Sequence, residues 1–160
     1  MTHLQIGDAA PLFDTHFSDG SKCRNSMFLG HKLLLYFYPR DNTPGCTSQA
    51  CSLRDQWTAL SELGVRVIGV SPNSDASHQR FAAKYSLPFP LIADPDLVLA
   101  QAYGVWGEKV RCGKTSTGIL RTSFLIDEHG LIEHIFDKVQ TAGHGVQVLT
   151  YFRRKHEFVS

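Results

Sequence analysis

The chain has 160 residues, 42% of them hydrophobic and 19% charged, which supplies enough apolar material for one packed domain and excludes a disordered tail. Sixteen basic against fifteen acidic side chains leave a net charge of +1, which argues against a protein built to coat nucleic acid or an anionic membrane. No apolar stretch approaches the roughly 20 residues of a membrane span, and Met1 to Asp8 lack the basic start and apolar run of a secretory signal, so a cytoplasmic location is expected.

No repeat, low-complexity tract or linker divides the chain, and residues 1–160 read as a single domain. A turn is signalled from Gly7-Asp8 to Pro11, and Asp19-Gly20 predicts a small N-terminal β-hairpin. The continuous apolar run Leu33 to Tyr38 reads as a strand covered on both faces. A helix is predicted over about 44–63, closed by Gly64, and Val65 to Val70 as a second buried strand. Ser74-Asp75 can cap a helix carrying Phe81, Ala82 and Tyr85, which Pro88 ends. Leu91-Ile92 is strand-like, and a short helix is predicted from Pro95 to Tyr103. Leu120 to Ile126 and Leu131 to Phe136 read as a strand–turn–strand, and Val148, Leu149 and Phe152 mark a final helix. Strands alternating with helices, plus a late antiparallel pair, indicate an α/β fold with a central mixed sheet flanked by helices.

The chemistry concentrates between the first buried strand and the long helix, in Pro39-Arg40-Asp41-Asn42-Thr43-Pro44-Gly45-Cys46. Thr43 is a favoured N-cap, and Pro44 suits the first helical position because its missing N–H costs nothing there. Cys46 then falls in the first turn, where free backbone N–H groups and the helix dipole favour its thiolate, the nucleophilic form. Arg40 and Arg121 can add positive charge. At about 100° per residue, Ala50, Leu53, Trp57 and Leu60 all lie within about 40° of Cys46, so Cys46 faces the core. Cys51 lies about 140° round, on a flank nearer solvent.

Pro39, Thr43 and Cys46 stand at the spacing of a family motif, and Gln49-Ala50-Cys51-Ser52-Leu53-Arg54-Asp55 continues it. Further matches are Leu87 to Leu91, Gly104 to Lys109 and Arg121 to Asp127. The chain thereby resembles, along nearly all its length, the peroxiredoxins of the bacterioferritin comigratory protein or peroxiredoxin Q group. The resemblance implies a thioredoxin-like fold and a thiol peroxidase acting on hydrogen peroxide and organic hydroperoxides. It implies that Cys46 is the peroxidatic cysteine and that Thr43 contacts its sulfur and the peroxide. Arg121 would hold thiolate and peroxide oxygen, while Pro39 shields the site. Cys51 would resolve the sulfenic acid as an intramolecular disulfide, which a thioredoxin-type reductant recycles. It further implies a monomer that uses no cofactor. The best-known form of the motif has Glu where this chain has Gln49, and Gln49 receives no catalytic role.

Other readings compete with these. A flanking helix cysteine such as Cys51 can be mere packing, and Cys112, in the loop Val110 to Gly113, is the reserve resolving candidate. Cys23, near the hairpin, reads as non-catalytic. The eight histidines, from His3 to His156, are dispersed and lack the close spacing to a cysteine pair of a zinc site. A thioredoxin-type disulfide oxidoreductase would need Cys-x-x-Cys, and Cys46 and Cys51 stand further apart. A redox-inert binding module that kept only the fold is opposed by the intact Pro39, Thr43, Cys46 and Arg121. On an ideal helix the Cα atoms of Cys46 and Cys51 lie about 8.6 Å apart, beyond the roughly 7 Å limit of a disulfide, so resolution by Cys51 requires the first turns to unwind.

Overall fold

A computed structural model describes residues 1–157, with side chains through residue 155; residues 158–160 and the side chains of His156 and Glu157 lie outside the described part. Five strands form the central sheet: β3 (Lys32–Phe37), β4 (Val65–Ser71), β5 (Leu91–Ala93), β8 (Thr122–Ile126) and β9 (Ile132–Phe136). Their order is β5-β4-β3-β8-β9, with β3, β4 and β5 parallel and β8 and β9 antiparallel additions. The mixed sheet is therefore as the alternation of elements predicts. Two antiparallel ribbons stand apart from it: β1 (Asp14–His16) with β2 (Lys22–Arg24), and β6 (Trp106–Arg111) with β7 (Lys114–Ile119).

The residues of β3 alternate between two cores, which is why the run is apolar throughout. Leu33, Leu35 and Phe37 pack with Ile68, Val70 and Phe124 on one face. Leu34, Tyr36 and Tyr38 pack with Val67, Leu53 and Phe152 on the other. The second face carries α1 (Pro44–Asp55), α2 (Trp57–Glu62) and α5 (His144–Glu157), together with Phe81 of α3 (Asp75–Tyr85). Ser74 caps α3 as predicted, its side chain accepting from the Ser77 N–H at 3.2 Å.

Several boundaries differ from the sequence reading. The helix expected over 44–63 is two, because Gln56 leaves the helical region at φ −102°, ψ 11°. The break falls where α5 presses in: a Cβ on Gly145 would lie 2.5 Å from the Ser52 carbonyl oxygen and 2.8 Å from Gln56 Cγ. The helix expected from Pro95 shrinks to α4 (Val98–Ala102). Asp94 supplies its cap, accepting from the N–H groups of Leu99 and Ala100 at 3.1 and 2.9 Å. The loop expected at Val110 to Gly113 is the tip of the β6–β7 ribbon, whose two strands the sequence does not signal. Its turn is Cys112-Gly113, with φ of 53° and 76°, the two positive values of a tight hairpin turn. Its strands are too polar to show the alternation that marks a half-buried strand. Among the described residues no helix is long and apolar enough to cross a membrane.

Candidate active site

The site lies where β3 ends and α1 begins. Tyr38, at the end of the strand, is buried, and its hydroxyl donates to Asp41 Oδ1 at 2.6 Å. Asp41 Oδ2 meets His78 Nδ1 at 2.7 Å and accepts from the Ser77 hydroxyl at 2.8 Å, while His78 Nε2 lies 3.0 Å from the Ile92 carbonyl. Against the burial that would raise it, hydrogen bonds from His78, Tyr38 and Ser77 hold the Asp41 carboxyl below the usual aspartate range. Asn42 adopts the left-handed conformation at φ 61° and accepts from Lys84 and Tyr85 on α3. The loop from Pro39 to Thr43 is thus tied to α3 and β5 before the helix starts.

Thr43 occupies the N-cap position, with extended φ −90° and ψ 155°, and Pro44 the first turn, as predicted. The side chain departs from the prediction. The Thr43 hydroxyl donates to the Arg40 carbonyl at 2.9 Å, and it makes no capping bond to the helix. The turn through Asn42 brings that carbonyl back onto Thr43. Arg40 itself is exposed and its guanidinium makes no hydrogen bond or ion pair among the described residues.

Cys46 faces inward as the helix phase requires, 2% exposed and packed with Tyr36, Ala50 and Leu53. Arg121 reaches it from the neighbouring strand, just before β8. Antiparallel pairing sets Phe37 opposite Thr122, so the residue before Thr122 arrives beside the loop that follows β3. There Arg121 Nη2 lies 3.4 Å from Cys46 Sγ, and Nη1 donates to Gln49 Oε1 at 2.6 Å. Gln49 is fully buried, and its Nε2 has no partner among the described residues. It is the residue the sequence reading missed. Position 49 falls one turn after Cys46 on the same helix, a signal that could have pointed to it.

The first turn of α1 is open to Arg121. A Cβ on Gly45 would stand 3.4 Å from Arg121 Nη2 and 3.7 Å from Thr141 Cγ2. Pro39 and Arg121 line one groove of about 680 Å³ together with residues of the β6–β7 ribbon. The four predicted residues Pro39, Thr43, Cys46 and Arg121 therefore converge at one end of the sheet. Cys51 does not join them. It is half-buried on the same unbroken helix, and all four cysteines are free thiols. Cys23 lies in the core on the opposite face of the sheet, where burial pushes its thiol up to about 12. Cys112 is exposed at the ribbon's turn. Among the described residues no three His, Cys, Asp or Glu side chains gather as metal ligands.

Below the site, His144 at the start of α5 is fully buried. Its Nδ1 faces Gln147 Oε1 at 2.9 Å and its Nε2 faces Ser123 Oγ at 2.8 Å. The Gln147 amide nitrogen is engaged on the Lys138 carbonyl, so its oxygen faces the ring and Nδ1 carries the proton. Burial, with Arg121 acting in the same sense, pushes this imidazole down to about 4.

The model of the AhpC/TSA family matches residues 6–135. The chain is 45% identical over 153 residues to Peroxiredoxin Bcp of Escherichia coli (strain K12), covering 96% of this chain and 98% of that protein. It is similar to Peroxiredoxin Q of Xanthomonas campestris, at TM-score 0.84 and 34% identity over 96% of this chain and 97% of that one. A cysteine-to-serine mutant of PrxQ from Xylella fastidiosa gives TM-score 0.89 at 31% identity, over 98% and 99% of the two chains. The thioredoxin-like fold implied by the sequence motifs is the fold of these neighbours.

Proposed function

The chain belongs to the AhpC/TSA family as a thiol peroxidase of the Bcp and peroxiredoxin Q group, and on that premise we propose that Cys46 is its peroxidatic residue and Cys51 its resolving one. The observation that carries this is the Arg121 guanidinium, 3.4 Å from the sulfur of a cysteine held in the first turn of α1. The helix N-terminus and the guanidinium both favour the thiolate.

The Cys46 thiolate attacks one oxygen of hydrogen peroxide or an organic hydroperoxide. An S–O bond forms as the O–O bond breaks, and the sulfur gives up two electrons. The second oxygen leaves with a proton as water or an alcohol, and Cys46 becomes a sulfenic acid. Arg121 bears on both sulfur and peroxide oxygen, which its planar fork of donors suits. Thr43 contacts the peroxide once its hydroxyl turns from the Arg40 carbonyl, and Pro39 covers the site. The Cys51 thiolate then attacks the Cys46 sulfur, a disulfide forms and water leaves. A thioredoxin-type dithiol, in the cytoplasm, reduces the disulfide.

Cys51 supports this reading better than the other two thiols. Cys23 is separated from Cys46 by the sheet, and Cys112 stands on a separate ribbon. Because α1 is continuous from Pro44 to Asp55, the disulfide requires α1 to unwind after oxidation. Peptide mapping after one equivalent of peroxide tests the scheme. A Cys46–Cys51 disulfide is expected, and Cys46→Ser should abolish peroxide consumption. A Cys46–Cys112 bond would reassign resolution, and turnover by Cys46→Ser would overturn the mechanism.

A further inference from the structure

We propose that Lys109 is a second cation of the active site, a positioning residue that acts with Arg121 to stabilise the negative sulfur of Cys46. The inference rests on the reading of Cys46 as the reactive thiol.

Three observations converge on Lys109. It lines the same groove as Pro39 and Arg121, on strand β6 of the β6–β7 ribbon. It is half-buried, yet its Nζ makes no hydrogen bond or ion pair with any described residue. Its side chain is laid down by a gap opposite. Gly107 pairs with Gly118, and a Cβ at position 118 would stand 3.3 Å from Lys109 Cε and 3.4 Å from Nζ.

A half-desolvated ammonium beside a guanidinium is unfavourable unless an anion faces both. Burial and Arg121 do push the Lys109 ammonium down from its ordinary range, and Cys46 acts in the opposite direction. Asp137 lines the groove as well, but it forms no ion pair with Lys109. Arg111 and Lys138 add only further positive charge. Around the sulfur itself stand Arg121, just before β8, and Tyr36 from β3, with the neutral His144 beyond Arg121, while Cys51 lies on the flank of the same helix. The thiolate of Cys46 is the anion that matches Lys109.

The test is an ultraviolet titration of the Cys46 thiolate in variants lacking the other three cysteines, which reads the charge without any peroxide. At low salt, Lys109→Gln should move the midpoint to higher pH and lower the thiolate fraction below it about threefold, with a matching fall in the peroxide rate constant there. Lys109→Arg should restore both, and the difference should shrink in molar salt. Gly118→Val, which displaces the ammonium while leaving it in the chain, should reproduce part of the shift. Identical titrations of Lys109→Gln and the unsubstituted protein would overturn the proposal. A shift that Lys109→Arg fails to restore would overturn it too, marking Lys109 as a packing residue of the ribbon. A titration that responds to Lys109 in a protein that consumes no peroxide would instead refute the peroxidase assignment and leave this one standing.

Discussion

Replacing Gln49 by leucine separates the orientation of Arg121 from the stability of the fold. Gln49 Oε1 accepts from Arg121 Nη1 at 2.6 Å, and a hydrogen bond from a charged donor contributes about 1.5–3 kcal/mol. The same side chain buries an amide nitrogen without a partner, which costs about 1–3 kcal/mol. Gln49→Leu removes both at nearly constant volume, so the two changes offset and the stability should move by less than about 1.5 kcal/mol. Arg121 loses the bond that fixes its fork while its other nitrogen stands 3.4 Å from the sulfur. Misplacing that donor should slow the reaction with peroxide about tenfold, or about 1.4 kcal/mol of barrier. Stopped-flow measurement of Cys46 oxidation and a urea titration read the two effects separately. An unchanged rate constant together with a loss of about 3 kcal/mol would refute the reasoning and make Gln49 a purely structural residue.

Arg121→Lys keeps the charge but not the planar fork, so the peroxide reaction should slow while the thermal midpoint stays nearly unchanged; a collapsed midpoint with normal residual chemistry would make Arg121 structural. Ser52→Ala leaves the Gly145 N–H, now 2.9 Å from Ser52 Oγ, without its acceptor, at a cost of about 1 kcal/mol. With α1 less firmly held by α5, disulfide formation after oxidation should accelerate, and a slower rate in rapid-quench mapping would show that release of α1 does not run through this contact. Stability should also depend on pH through His144. The His144 imidazole titrates near 4 when folded, against about 6.5 unfolded, so its contribution is complete above about pH 6.5 and is lost as pH falls toward 4, by about 3 kcal/mol. His144→Gln should flatten the urea midpoint over that range, and an undiminished slope would place the pH dependence elsewhere.

The parts of this protein legible in its sequence are those whose cause is local. Leu33 to Tyr38 and, apart from the exposed Arg66, Val65 to Val70 are apolar on both faces because both faces of their strands are buried, and they read as strands at once. Thr43, Pro44 and Cys46 mark a helix start by their own conformational preferences, and the 3.6-residue period alone turns Cys46 inward. The β6–β7 ribbon was illegible because polar residues occupy both of its faces and Cys112 takes a positive φ that its side chain does not advertise. The break at Gln56 was equally hidden, since it coincides with Gly145 of α5 pressing on Ser52, 93 residues away. The site divides in the same way. Position within one helix decided which thiol lies at its dipole, whereas Arg121 stands 75 residues from Cys46 and reaches it only through the antiparallel register of β3 and β8. Gln49 showed no role in the sequence because the group it orients comes from that distant strand. Local propensity and periodicity are written residue by residue, but the register of β8 is set by burial across the whole sheet, and that register brings the guanidinium to the sulfur.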